Sequence, residues 1–386
     1  MKLSSSKKKI SEIIIERNKS KIKVKEAKFE GKYPFYTSGI KIKAYDEHLC
    51  DGNNIFIATG GKSIIQYYEG KASYSTDCYT ITTKQNVITK YLFYFLKTKL
   101  KEIDTKMFEG AAIRHLQKKK FKDIEINIPT LNVQQYIVSK LDVMFAEINK
   151  SYATAKLNKN NIHNLFEIIL NNTFSEKKNK DWVSNKLKNI TSKIGSGATP
   201  RGGKNAYKKQ GLSLIRSMNI HDLRFVHKGL VKIDKKQAQA LDNVEVHKND
   251  ILLNITGASV ARCAMVDNDV LPARVNQHVS IIRVNSNVIN PKLLVFMLAS
   301  RYFKNRLLKI SNAGGATREA LTKEQIKNFE ILFPRSIKKQ DEIIKQLSKT
   351  KKILVELIGL YENKIEKLEI LKQSFLQEYL DYKQTV

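Results

Sequence analysis

The feature that most constrains this chain is an internal repeat. The segment Gly110-Ala-Ala-Ile-Arg-His-Leu116 is followed by Phe121, Ile124, Ile126 and Pro129. It recurs 205 residues later as Gly315-Ala-Thr-Arg-Glu-Ala-Leu321, followed by Ile326, Phe329, Ile331 and Pro334. Gln135 then answers Gln340. After a shift of one residue, Leu141, Leu165 and Leu170 answer Leu347, Leu371 and Leu376. A sequence written twice builds the same unit twice, so the fold has to accommodate two copies.

Each copy ends in a long helical pattern. In the first, Asn132 suits an N-cap, Gln135 the closing residue of a capping box, and Leu131 with Tyr136 a hydrophobic staple. Apolar residues then recur mostly in steps of three and four: Leu141, Phe145, Ile148, Tyr152, Ala155, Ile162, Phe166 and Ile169. The second copy repeats the rhythm at Leu347, Leu354, Leu357, Tyr361, Leu368, Leu371 and Phe375. This is the seam of a coiled coil. About 40 residues at 1.5 Å each predict rods on the order of 60 Å. Packing the two rods antiparallel closes the chain most simply, with the copies related by a pseudo-twofold axis.

Mixed blocks precede the rods. The first has strand patterns at Asn54–Ala58 and Ser73–Thr82 and a helix at Ile88–Lys99. The second has strands near Ser213–Met218, Asp250–Thr256 and His278–Val284, then a helix from Pro291 to about Ile310, with Pro at its first position. The polar stretch Asn171 to Lys180 reads as a linker. The expected class is α+β: mixed domains at 1–129 and 176–334, separated by long antiparallel helices at 130–175 and 335–386.

Charge narrows the partners. Lys and Arg number 69 against 37 Asp and Glu, a net charge of +32. A surplus of that size repels itself unless a polyanion neutralises it. Nucleic acid is the first candidate and an anionic membrane surface the second. The longest apolar run, Leu293 to Ala299, is far short of the roughly 20 residues of a spanning helix, so no membrane span is expected. Ile13, Ile14 and Ile15 after Lys7, Lys8 and Lys9 are too few for a signal-peptide core. Cys50, Cys78 and Cys263 form no CxxC pair, which points away from a thiolate zinc site and toward a reducing, cytoplasmic location.

Catalytic equipment is missing from the pattern. No two of the six prolines are adjacent, so the Asn/Asp-Pro-Pro-aromatic loop that grips a flipped base is absent. Gly195-Ser-Gly-Ala-Thr-Pro200 puts Pro where a dinucleotide fingerprint needs its third Gly. Gly61-Lys62-Ser63 looks like the end of a P-loop, but the first loop glycine would fall on Phe56. The seven histidines show no paired metal spacing, and no GxSxG elbow occurs. Gly60, Gly195, Gly197 and Gly257 read as turn residues. No metal and no cofactor are expected on this chain.

Four segments of the second half carry a resemblance: Lys193-Ile-Gly-Ser-Gly-Ala-Thr-Pro200, Asp250-Ile-Leu-Leu-Asn-Ile-Thr-Gly257, Val275-Asn-Gln-His278 and Gly315-Ala-Thr-Arg318…Ile331-Leu-Phe-Pro334. Together with Gly31-Lys-Tyr-Pro-Phe-Tyr-Thr-Ser-Gly39 and Gly110-Ala-Ala…Ile128-Pro129, they resemble the DNA-specificity subunit of type I restriction–modification systems. By this resemblance, Thr37-Ser-Gly stands where Ser196-Gly-Ala-Thr-Pro stands later, and Ser75-Thr-Asp-Cys78 answers Val275-Asn-Gln-His278. The resemblance implies one target-recognition domain per half-site of double-stranded DNA, with the rods as spacer. It also implies docking of two methyltransferase subunits, together with restriction subunits. S-adenosylmethionine, ATP and Mg2+ would sit on those partners, leaving this chain non-catalytic.

Bases are read by Arg, Asn, Gln, Ser and Thr, and phosphates are held by Lys and Arg. The candidates in the first half are Tyr36, Thr37, Ser38, Lys41, Lys43, Thr59, Lys62, Tyr74, Ser75, Thr76 and Arg114. In the second half they are Ser196, Thr199, Arg201, Lys204, Arg216, Ser217, Asn219, Thr256, Ser259, Arg274, Asn276, Gln277 and Arg318. Two other classes fit the residues. One is a nucleic-acid scaffold that uses charge without sequence readout. The other is a coiled-coil adaptor in which the charge is incidental.

Overall fold

The computed structural model describes residues 6–175, 181–200, 202–312 and 320–380. Residues 6–157 with 361–380 form one compact unit and the described residues of 158–360 the other. Their elements follow a common order, to which each unit adds elements of its own.

The first unit begins β1 (Ser6–Lys9), α1 (Ile10–Ile13), β2 (Ile14–Glu16), β3 (Tyr33–Tyr36) and β4 (Lys43–Tyr45). It continues through β5 (Asn53–Ala58), β6 (Ile65–Glu69), β7 (Ser73–Tyr74) and β8 (Cys78–Thr83). Helices α2 (Thr89–Thr98) and α3 (Leu100–Lys106) lead to β9 (Phe108–Glu109), β10 (His115–Leu116), α4 (Lys118–Lys122) and β11 (Glu125–Ile128). The long helix α5 (Leu131–Phe174) follows.

The second unit runs β12 (Trp182–Lys186), α6 (Leu187–Ile190), β13 (Thr191–Ser196), β14 (Leu212–Ile215), β15 (Ile220–His221) and β16 (Arg224–Phe225). Then come β17 (Val231–Ile233), α7 (Lys235–Gln239), β18 (Glu245–Val246), β19 (Ile251–Asn254), β20 (Cys263–Met265), β21 (Ala273–Val275) and β22 (Val279–Val284). Helices α8 (Pro291–Ala299), α9 (Arg301–Asn312) and α10 (Lys323–Lys327) precede β23 (Glu330–Pro334) and the long helix α11 (Ile337–Leu380).

The central sheet has the order β2-β8-β5-β6 in the first unit and β13-β22-β19-β20 in the second. A second sheet covers one face: β4-β3-β7 in the first unit, β17-β14-β21-β18 in the second. Strand alternation fills both faces of the central sheet. In β5, Ile55 and Ile57 join the helix-side core, while Phe56 joins the core under the second sheet. In β19, Ile251 and Leu253 face the helices and Leu252 the second sheet.

The long helices divide between the units. Residues 131–157 of α5 share the first unit with residues 361–380 of α11, and the remaining stretches share the second. Opposite ends therefore pair, as an antiparallel arrangement requires. Leu141, Phe145 and Ile148 are buried with Leu376 and Leu380, with Leu368 and Phe375 packed against them. Lys372 Nζ lies 5.2 Å over the Phe145 ring and 3.1 Å from Asn149 Oδ1. In the second unit Leu170 and Phe174 share a core with Ile344 and Leu347, and Phe166 packs against it. Ile162 and Leu354 are buried and Tyr152 and Tyr361 half-buried, whereas Leu357 and Leu371 are exposed. The a/d count drifts because 3.6 residues per turn do not divide seven.

Several local expectations are corrected. Ser73–Thr82 is two strands, broken by the turn Ser75–Asp77, and the helix after Pro291 breaks at Ser300. Ser300 takes an extended conformation, its Oγ donates to Met297 O, and its carbonyl accepts from Lys304 N at 2.9 Å. A serine favours such a cap over a helix interior. The linker read at Asn171 is helix up to Phe174, which is 2% exposed; residues 176–180 lie outside the described residues.

The start of α5 also differs from expectation. The carbonyl of Thr130, not of Asn132, takes the first helical amides, Val133 N and Gln134 N, each at 3.0 Å. Leu131 and Tyr136 are both exposed, so no staple forms. Gln134, not Gln135, is the partner of Gln340. Gln134 Oε1 accepts from Ile88 N at 2.8 Å, and its Nε2 donates to Pro129 O and Asn86 O. Gln340 Oε1 accepts from Asn290 N at 2.8 Å, and its Nε2 donates to Pro334 O and Val288 O. The one-residue shift thus falls earlier than the sequence alignment put it, with Arg335 as the extra residue. Both glutamines are wholly buried and tie the start of the long helix to the loop before the shorter one.

Candidate nucleic-acid interface

In each unit the loops at one end of the two sheets are stitched into a rim. In the first unit they gather on the carbonyl of Asp77. Thr59 N and Thr59 Oγ1 donate to it at 3.0 and 2.9 Å, and Ser38 Oγ donates as well. Ser75 N donates to Tyr36 O at 2.9 Å. The loop from Gly110 to His115 is held by Gly61 N to Arg114 O and Leu116 N to Thr59 O, at 2.9 and 3.0 Å. The second unit repeats the stitching. Ile255 N donates to His278 O, Asn276 N to Ile215 O and Leu321 N to Ile255 O, at 3.0, 3.1 and 2.8 Å.

The central turn of each rim is made by a short polar side chain folding back on its own backbone. Ser75 Oγ accepts from Asp77 N at 3.3 Å, and Asn276 Oδ1 accepts from His278 N at 3.1 Å. These equivalences revise two alignments. Ser75-Thr-Asp-Cys78 corresponds to Asn276-Gln-His-Val279, one residue along. Thr37 and Ser38, which follow β3, correspond to Arg216 and Ser217 after β14, whereas Ser196 ends the strand equivalent to β2.

The predicted residues divide by placement. Tyr36, Thr37, Tyr74, Ser75, Asn219, Arg274 and Asn276 are buried. Tyr36 stacks on Phe56 at 4.0 Å, Tyr74 Oη donates to Asn18 O at 2.7 Å, and burial pushes both phenols up to about 12. Asn219 Oδ1 accepts from Arg216 N, and its Nδ2 donates to Val226 O. Arg274 pairs with Asp242 at 2.6 Å and Glu245 at 3.4 Å. Arg114 is half-buried and engages Asp104 at 3.1 and 3.3 Å. The Ser63 amide, with Arg114, holds that carboxyl below the usual range. These side chains build the rim.

Others face outward. Lys41, Lys62, Ser196 and Gln277 are exposed, and Thr199 Oγ1 donates to Gln277 Oε1. Ser38, Lys43, Thr59, Thr76, Ser217, Thr256 and Ser259 are half-buried. Thr256 Oγ1 lies 2.6 Å from His278 Nδ1. Arg201, Arg318 and the side chain of Lys204 lie outside the described residues.

Arg216 occupies a more informative place. Its guanidinium lies 5.3 Å over the Tyr207 ring, Nη2 donates to Gly229 O at 2.6 Å, and the buried Nε has no hydrogen-bond partner among the described residues. The residue is thus oriented rather than free.

Sequence reasoning passed over the aromatic neighbours. Tyr207 stands beside Lys208 and Lys209, and Phe29, 95% exposed, stands beside Lys28 with Lys41 Nζ 5.7 Å over its ring. Ile40 and Met218 are exposed in the loops that follow β3 and β14. An aromatic interleaved with lysines was the available signal, since rings stack on bases and lysines meet phosphates.

Comparison with known proteins accords with this arrangement. The family model described as the type I restriction modification DNA specificity domain matches twice, over residues 4–159 and 157–367. The EcoBI specificity subunit of Escherichia coli is 25% identical over 281 residues, covering 67% of this chain and 56% of that subunit. The MjaVIII specificity subunit of Methanocaldococcus jannaschii is 24% identical over 311 residues, 74% of this chain and 72% of that one. The E. coli EcoDI subunit matches over 38% of its length, so this chain spans about half or less of the E. coli relatives.

Among solved structures, a chain from work on type I restriction–modification complex assembly and conformational transition superposes with a TM-score of 0.73. It is 15% identical and is matched over 98% of this chain and 99% of that one. HsdS from Thermoanaerobacter tengcongensis gives 0.55 at 14% identity, over 97% and 96%. These likenesses establish the fold.

Proposed function

The chain belongs to the type I restriction–modification DNA-specificity family, and from that premise we propose that each of its two units reads one half of a bipartite target in double-stranded DNA. The observation that carries the reading is the duplicated rim. Two units with the same sheet orders present loops at the same sheet ends, on a chain of net charge +32. Lysines such as Lys41, Lys43 and Lys62 neutralise phosphates, which supplies affinity without sequence information. Arg216, pinned on Tyr207, presents a guanidinium whose donors suit the O6 and N7 edge of guanine. Thr199 with Gln277, and Thr256 with His278, offer further polar edges.

In this reading 1–129 and 176–334 are the recognition domains, and α5 and α11, within 130–175 and 335–386, act as spacer and dock the partners. Exposed apolar residues on those helices, Val143, Ile168, Val355 and Ile370 among them, suit two methyltransferase subunits and the restriction subunits. S-adenosylmethionine, ATP and Mg2+ belong to those partners in this reading, and this chain positions DNA without bond chemistry. Its place of work is the cytoplasm; among the described residues no helix is long and apolar enough to cross a membrane.

The test exchanges residues 176–334 for the matching block of a relative with a different target, then maps methylation with the partner methyltransferase present. One half-site is expected to change and the other to stay. A change in both halves at once would sink the modular reading.

A further inference from the structure

The second unit holds an open cleft of about 530 Å³ away from the residues assigned to base reading, apart from Ser196 at its edge. Four lysines line it: Lys188 from α6, Lys193 from β13, and Lys323 and Lys327 from α10. Asn243 and Val244 wall its other side.

The charge is scarcely compensated. Lys327 pairs with Glu324 at 2.7 Å, and Lys193 Nζ donates to Asn243 O. Lys188 and Lys323 are exposed, and neither has an ion-pair partner among the described residues. The Glu324 carboxyl is held below its usual range first by its bond to Lys327, then by the charges of Lys188 and Lys323. One carboxylate thus meets the charges of three lysines.

The equivalent place in the first unit is built differently. Lys118 and Lys122 of α4 answer Lys323 and Lys327, but Lys122 pairs with Glu16 and Lys118 Nζ lies 4.3 Å over the Tyr79 ring. By strand register, Glu16 stands where the second unit has Ile194, and Ile15 where it has Lys193. Ser11 of α1 answers Lys188. A register shift between Thr191 and Lys193 and the added segment carrying Asn243 give the second unit its cleft. The lysines are therefore not a general feature of the fold.

Among the described residues no aromatic ring lines the cleft, so they offer nothing for a nucleobase to stack on. Flexible lysines act as point charges, suited to phosphates passing in a row. We propose that this cleft grips phosphates of the DNA backbone and gives the second unit a sequence-independent hold at a place where the first unit has no such cleft. The proposal rests on the DNA-reading function above.

The test measures binding of the full chain to a target duplex and to a random duplex across a range of salt concentrations. Its central variant is K188Q/K193Q/K323Q. Losing a lysine–phosphate contact flattens the salt slope by about 1, so the triple variant is expected to lose about 2 to 3 from the slope on both duplexes. The ratio of target to random affinity should stay within about twofold, because phosphate contacts carry no sequence information. K118Q/K122Q in the first unit should change the slope by less than 1. Lys188→Glu alone, at an exposed position, repeats the test if the triple variant is poorly folded by circular dichroism.

An unchanged slope, or a target-to-random ratio that collapses, overturns the proposal. With the DNA slope unchanged, inorganic triphosphate raising the thermal midpoint of the native chain but not of the triple variant would assign the cleft to a small polyphosphate instead. Salt-dependent binding by the native chain with no preference for any target would instead sink the recognition reading, and the slope comparison would still decide the cleft.

Discussion

Asn54 in the first unit and Asp250 in the second stand at the same point of the central sheet, and both are wholly buried. Each ties down the turn before its strand, with opposite polarity. Asn54 Nδ2 donates to Asp51 O at 3.1 Å, whereas Asp250 Oδ2 accepts from His247 N at 2.7 Å. Each also meets an arginine. Arg17 reaches Asn54 Oδ1 with one bond at 2.8 Å, and Arg283 grips Asp250 with two at 2.8 Å. The cores under the second sheets diverge in the same way. The first packs the rings of Tyr36, Phe56 and Tyr74; the second packs Leu214, Ile215, Val275 and other aliphatic residues. One frame thus carries two chemistries. A contact seen in one unit cannot be copied onto the other by alignment, which is why Thr37 is a buried turn residue where Arg216 is an oriented cation.

The largest expected effect tests that polarity. Asp250→Ala leaves the Arg283 guanidinium without its carboxylate in a largely buried place and should cost about 3 kcal/mol, the lower end for a broken buried pair because the arginine keeps some exposure. Asn54→Ala removes the bonds of a neutral amide, one of them from the Arg17 guanidinium, and should cost about 2 kcal/mol. Urea unfolding of the two variants compares them, and equal losses would mean that charge does not distinguish the sites.

A second pair sharpens the contrast within a single motif. A Cβ on Gly197 would sit 1.8 Å from the carbonyl oxygen of Val275, whereas one on Gly195 would meet nothing within 4 Å. Gly197→Ala should therefore destabilise by about 3 kcal/mol, since backbone must move to admit it. Gly195→Ala should stabilise by about 0.5 kcal/mol by removing strand entropy. Thermal unfolding that moved both the same way would contradict the close approach.

The smallest effect belongs to an exposed contact peculiar to the second unit. His227 Nε2 lies 3.0 Å from Asp269 Oδ1 and 3.8 Å from Asp267 Oδ2, and the bond to Asp269 raises the imidazole above its ordinary 6.5. With the folded value raised, its contribution is complete below about 6.5 and fades as pH rises through the folded value. An NMR titration of His227 should show that raised midpoint. Asp269→Asn should return it toward 6.5, and an unmoved midpoint would dissolve the pair.

How much could be read in advance depended on the range of the interaction. The 205-residue repeat named two units because a duplicated chain must satisfy the same packing twice. The long helices were legible from apolar spacing, since burial on one face is a property of sequence period. Strands β5, β19 and β22 were legible because Ile, Leu and Val run through them on both faces. What stayed hidden were the places where a side chain chooses between solvent and a distant partner. Tyr36, Arg274 and Asn276 carry the chemistry of a DNA reader, and their burial is set by Phe56, Asp242 and the Gly197 loop, none adjacent in sequence. Gln134 displaced Gln135 because only tertiary structure brings Ile88 N and Pro129 O within reach of one amide. The sequence determined the repeat and the class, which rest on duplication and local period, and its motif segments carried the resemblance to the family. Tertiary structure decided which polar residues became framework, which stayed at the surface, and why four lysines meet in one unit alone, because those outcomes depend on contacts between residues far apart in the chain.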